Sequence, residues 1–145
     1  MLIHIIGESS SEIRSVGLVI FDFLLLLRYS WTVASQEICV IIPTYMAGDL
    51  LLAAVTSVRD AALESEIDVK IIVIDNSPNK NDEFIASEVE IYSSLPSNPG
   101  FGAASNQGLF LGNKSFASSW YLILNPDAVI DVEFFTNLAN SPYFE

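Results

Sequence analysis

The chain has 145 residues, 51% of them hydrophobic and 17% charged, and its 18 acidic against 6 basic side chains give a formal charge of −12. That length suits one domain with a real core, and that apolar content excludes a disordered chain. The basic residues Arg14, Arg28, Arg59, Lys70, Lys80 and Lys114 are dispersed, which excludes nucleic-acid binding through a basic face, so an anionic ligand has to be met by backbone N–H groups, a helix N-terminus or a divalent cation.

Residues 1–36 differ in character from 37–145, and we read them as an apolar N-terminal extension ahead of the domain proper. Ser15 to Val33 is dense in Leu, Ile, Val and Phe, but Asp22 and Arg28 interrupt it. Its unbroken apolar runs are shorter than the roughly 20 residues of a spanning helix, and Glu8 and Glu12 precede it, which is wrong for an export signal. A non-core extension and a membrane-associating helix are the two readings. Cys39 is the only cysteine and His4 the only histidine, so neither an internal disulfide nor a Cys/His zinc site can form. A reducing, cytoplasmic compartment is expected, peripheral to the inner face of the membrane if the apolar segment attaches there. Cys39, within EICVIIP, reads as a small buried hydrophobe.

From Glu37 the pattern is regular. Ile38 to Pro43 is a β-branched run of strand length, as in a strand covered on both faces. Leu50, Leu51, Ala54, Val55, Val58, Ala62 and Leu63 then recur at near-helical spacing behind Asp49. Val69 to Asp75 is a second buried strand, closed by the turn-rich NSPNKND; a short helix over Glu83–Ser87 and a short strand over Val89–Tyr92 follow. SNPGFGAASNQG is a glycine-rich loop running into a helix that extends to about Leu111, Trp120 to Asn125 is another buried strand, and Asp131 caps a last helix, VEFFTNLA. Strands alternating with helices predict an α/β fold, a Rossmann-like, mostly parallel sheet with flanking helices, in which ligands bind beyond the carboxyl ends of the strands.

The polar residues at those strand ends are Thr44 and Tyr45, then Asp75, Asn76 and Ser77, then Asn125 and Asp127. Asp75 reads either as the start of an Asx turn or as an acceptor for a nucleobase N–H or ribose hydroxyl. Gly100, Gly102 and Gly108, with small residues between them, either let backbone approach a ligand or allow close helix packing. They match neither the G-x-G-x-x-G spacing of dinucleotide sites nor a P-loop. Asn98 and Asn106 bracket them as caps or ligand contacts. Pro126 holds Asn125 extended, and Asp127 is a hard ligand suited to Mg²⁺ or Mn²⁺; the plain alternative is a stiff turn.

In order, VIIPTY, IIVIDNS, NPGFGAASNQG and YLILNPDAVI resemble the donor-binding half of inverting family 2 glycosyltransferases of the GT-A fold, most closely the bacterial rhamnosyltransferase-like branch, over about Glu37 to Leu138. The resemblance implies that Pro43, Thr44, Tyr45, Asp75, Asn98, Gly100, Phe101, Gly102, Asn106 and Asn125 bind a UDP- or dTDP-sugar, rhamnose being the first choice. It also implies that Asp127 ligates a divalent cation bridging the diphosphate. Met46 stands where the family usually has Asn, and Asn125 where it has the first acid of D-x-D. The acceptor, a glycan or lipid-linked sugar, and the carboxylate base that activates it belong to the family's C-terminal half. Asp131, Glu133 and Glu145 follow too closely on the metal motif to be that base. The chain is therefore expected to be the N-terminal portion of an enzyme, or else a catalytically inactive nucleotide-binding or interaction module.

Overall fold

A computed structural model describes residues 36–142; the extension read above lies outside them except for Gln36. Four strands, β1 (Glu37–Thr44), β2 (Asp68–Asp75), β3 (Ile91–Ser94) and β4 (Trp120–Ile123), form an all-parallel sheet in the order β3-β2-β1-β4. Helix α1 (Asp49–Leu63) links β1 to β2, α2 (Phe101–Ser115) links β3 to β4, and α3 (Phe134–Ala139) follows β4. This is the α/β arrangement that alternating strand and helix patterns dictate.

β1 and β2 pair over their full length, Glu37 with Asp68 through Thr44 with Asp75, so their carboxyl ends are level. Because side chains alternate along a strand, β1 feeds two separate cores. Ile38, Val40 and Ile42 join Leu51, Val55 and Val58 of α1 and Phe135 of α3, whereas Cys39 and Ile41 join Ile72, Ile74 and Ala104 on the α2 side. Helix α1 buries Leu51, Ala54, Val55, Val58 and Ala61; Leu50 and Leu63, expected on its apolar stripe, are exposed. Phe135 is fully buried and stacks edge-to-face on Phe134, ring centres 5.2 Å apart.

Helix α2 lies on the sheet through small residues, burying Ala104, Ser105, Gly108 and Gly112. A Cβ on Gly108 would stand 2.3 Å from Ile41 Cγ2, and one on Gly112 would stand 2.9 Å from Tyr121 Cε1 and 3.0 Å from Cys39 Sγ. Close packing is thus what the third glycine of the motif supplies. The helix also starts earlier than expected, at Phe101, so most of the glycine-rich stretch is helical.

Three further differences have local causes. β3 begins two residues late: Glu90 still donates its N–H to Ile71 O of β2 at 3.1 Å, but its carboxylate, held by the Arg59 guanidinium at 2.9 Å, takes the Ile71 N–H at 2.6 Å in place of a backbone carbonyl. β4, expected to be buried, is an edge strand among the described residues, as β3 is at the other side, leaving Trp120 38% and Ile123 43% exposed. Asp131 does not cap α3; its Oδ1 accepts Glu133 N–H at 2.9 Å in a turn ahead of the helix, which Glu133 caps without a side-chain bond. Among the described residues no helix is long and apolar enough to cross a membrane.

Candidate functional site

Beyond the ends of β2 and β3 opens a cleft of about 370 Å³, walled by Tyr45 from the β1–α1 loop, by Asn76 to Lys80 after β2, by Ser94 at the end of β3 and by Leu95 to Asn98 after it. Parallel strands put it there: their carboxyl ends stop together and the chain must leave the sheet on either side. Tyr45 is 51% exposed, so its ring is available as a wall.

Under the cleft lies a buried polar network. Asp75 has no exposed surface; its Oδ1 accepts Ser77 N–H at 2.6 Å, and its Oδ2 accepts Tyr92 O–H at 2.5 Å and Asp82 N–H at 3.3 Å. Burial, and then the hydrogen bond to Asp75, push the Tyr92 hydroxyl well above the usual phenol range, so it remains a donor. Asp82, 1% exposed, accepts Thr44 O–H at 2.6 Å, Gly48 N–H at 3.1 Å, Ala47 N–H at 3.2 Å and Ser77 O–H at 3.4 Å. Ser77 Oγ in turn accepts Met46 N–H at 2.7 Å. The loops after β1 and β2 are thereby joined through side chains.

Asn76 is the exception in this network. It is 5% exposed, lines the cleft, and its Oδ1 is buried with no hydrogen-bond partner. Leaving such a group unpaired costs about 1–3 kcal/mol, which marks Asn76 as a cleft residue whose amide calls for a further partner.

The sequence-derived residues take different positions around this centre. Tyr45 and Asn98 line the cleft, and Asn98 Oδ1 accepts Gly100 N–H at 3.0 Å, shaping the rim. Pro43 and Thr44 are buried at the end of β1, and Asp75 is buried beneath the floor. Gly100, with φ +91, immediately precedes α2; Phe101, Gly102 and Asn106 are exposed residues of that helix and are not part of the cleft wall. Asn125 to Ala128 close a β-turn, Ala128 N–H donating to Asn125 O at 3.1 Å, with Pro126 second in the turn, where its fixed φ is favoured. That turn leaves Asn125 and Asp127 exposed beyond β4, on the side of β1 away from β2. Among the described residues no group of three or more His, Cys, Asp or Glu side chains gathers to hold a metal, so Asp127 fits an ion only as a single protein ligand, with the remaining positions filled by phosphate and water. Asn76, noted at the strand end but left out of the binding set, and Asp82 are the two residues that sequence reasoning passed over. For Asn76 the signal was its place directly after Asp75 at the strand end; for Asp82 there was none, because the β1–α1 loop groups it binds, Thr44, Ala47 and Gly48, lie more than 30 residues back in the chain.

The parallel α/β sheet with flanking helices and a cleft at its strand ends is a GT-A-like fold, and solved structures align with it. TarS 1–349 of S. aureus aligns with a TM-score of 0.56 at 20% identity over 72% of this chain, and its complex with UDP-GlcNAc aligns with the same score at 21% identity. The mannosyltransferase PcManGT of Pyrobaculum calidifontis, in complex with GDP-Man and Mn²⁺, aligns with a TM-score of 0.58 at 15% identity over 90% of this chain. The chain spans 31% of TarS 1–349 and 42% of the mannosyltransferase. No curated protein matches it. Residues 39–141 match the family model Glycosyl transferase family 2, and the chain belongs to that family.

Proposed function

We propose that this chain binds the nucleotide-sugar donor of a glycosyltransferase, with the nucleobase in the cleft between Tyr45 and Asn98 and its ring N–H donated to Asn76 Oδ1. The single observation that carries this is the buried, unpartnered Oδ1 of Asn76, a residue that lines the cleft. An amide presents an acceptor and a donor side by side, which complements the N3–H and O4 of uracil or thymine. Asp75 acts behind it, holding the Ser77 turn in place.

UDP- or dTDP-sugar is the donor we favour, rhamnose first, transferred with inversion to a glycan or lipid-linked acceptor; the Asn-Pro-Asp triplet and its resemblance to the rhamnosyltransferase-like branch support this. TarS bound to UDP-GlcNAc and the mannosyltransferase bound to GDP-Man support a nucleotide-sugar more generally. Asp127 is our choice of metal ligand. A divalent ion there would neutralise diphosphate charge that a chain of net charge −12 has few cations to meet.

The test is calorimetric titration of the 145-residue chain with UDP, dTDP and GDP, with and without Mn²⁺, on the wild type, Asn76→Ala and Asp127→Ala. Metal-dependent binding of UDP or dTDP, abolished by Asp127→Ala, is expected. Asn76→Ala should weaken binding about tenfold or more, the scale of one lost buried hydrogen bond. Its melting temperature should not fall, because the unpaired buried carbonyl goes with it. Failure of all three nucleotides to bind would overturn the proposal.

A further inference from the structure

We infer that Asp82 is a positioning residue of the donor site, fixing the β1–α1 loop in the shape that presents Tyr45 to the cleft. The inference rests on the cleft being the donor site proposed above. The loop from Thr44 to Gly48 is short and strained: Met46 has φ +52 and Gly48 φ +54, left-handed conformations that a methionine adopts only when its surroundings impose them. What imposes it here is side chains from the β2–β3 segment. Ser77 Oγ takes Met46 N–H, and the Asp82 carboxylate takes the next two backbone N–H groups, those of Ala47 and Gly48, together with the Thr44 hydroxyl.

Successive N–H groups in such a turn, next to a helix N-terminus, form a concavity that attracts anions. In this protein the Asp82 carboxylate fills it, so the loop is held by an internal anion and Tyr45 is left facing the cleft. All four donors to Asp82 are neutral. The carboxylate is satisfied by hydrogen bonds, and the loop's geometry depends on both of its oxygens: Oδ1 serves Gly48, while Oδ2 serves Thr44, Ala47 and Ser77. An amide would keep one acceptor and turn an NH₂ toward N–H and O–H donors.

The experiment measures two quantities on the full chain: the UDP dissociation constant in the presence of Mn²⁺, and hydrogen exchange at the Ala47 and Gly48 amides without ligand. Asp82→Asn should weaken UDP binding on the order of tenfold and speed exchange at both amides. Adding Met46→Gly, which removes the left-handed strain, should recover part of the affinity. Phe135→Ala, a destabilising change outside the cleft, should lower the melting temperature without moving the UDP constant, separating loop positioning from general loss of stability. If Asp82→Asn does not fold, Ser77→Ala makes the smaller cut in the same network and should shift both readouts in the same direction. Wild-type UDP affinity in a folded Asp82→Asn, or in Ser77→Ala should that variant have to stand in, overturns the inference. Absence of UDP binding to the wild type overturns the donor-site reading and the positioning role with it, and is told apart by occurring before any substitution.

Discussion

Replacing Gly108 by alanine puts one carbon where the structure has no room. The added Cβ would sit 2.3 Å from Ile41 Cγ2 and 3.3 Å from Ile41 Cγ1. Ile41 cannot swing aside: it is fully buried in β1 and β-branched, so its χ1 is fixed by its own backbone. To restore ordinary carbon contact of about 3.5–4.0 Å, the 15-residue helix α2 must lift from the sheet by about an ångström or more. Overpacking of this kind costs about 1–3 kcal/mol, against a helix-propensity gain of up to about 1 kcal/mol for Gly→Ala. Gly102 is the internal control, lying in the same helix with nothing within 4 Å of its would-be Cβ. Gly102→Ala should therefore hold or raise stability by up to about 1 kcal/mol, and the two variants should differ by roughly 1–3 kcal/mol, on the order of 10 °C in melting temperature. Circular dichroism melts and urea titrations on both variants measure this. A Gly108→Ala protein that melts at or above Gly102→Ala would refute the packing argument.

Phe135→Ala should destabilise by about 3–5 kcal/mol in urea titration, since a fully buried ring is removed from the core that α1 and α3 share. Tyr92→Phe takes one of three donors from the buried Asp75 and should cost about 1–2 kcal/mol, read the same way. Burial pushes the Cys39 thiol up to about 12 from its ordinary value of 9.0. The folded chain then holds a proton that the unfolded chain gives up, so stability is intact below about pH 9 and falls as pH rises toward 12. The raised Tyr92 hydroxyl acts in the same direction. The urea midpoint should drop over that range, less steeply in Cys39→Ala, and Cys39 should react with maleimide at neutral pH only after unfolding.

Much of the scaffold was legible in the sequence because its signals are local. Five consecutive apolar residues, Ile38 to Ile42, mostly β-branched and stopped by Pro43, read as a strand covered on both faces, and Leu51, Val55 and Val58 mark one side of a helix whatever it packs against. Pro126 between Asn125 and Asp127 fixes a turn through its own ring. The site itself was less legible, since its logic is long-range. Sequence put Asp75 and Asn76 side by side, but only the neighbouring strand, carrying Tyr92, and the loop carrying Asp82 turn the carboxylate into the network and leave the amide at the cleft. In the same way Gly102 and Gly108 look alike in the chain. One meets open space and the other meets Ile41, because the rotation of α2 over β1 is set by packing between residues about 70 positions apart, which no local pattern encodes.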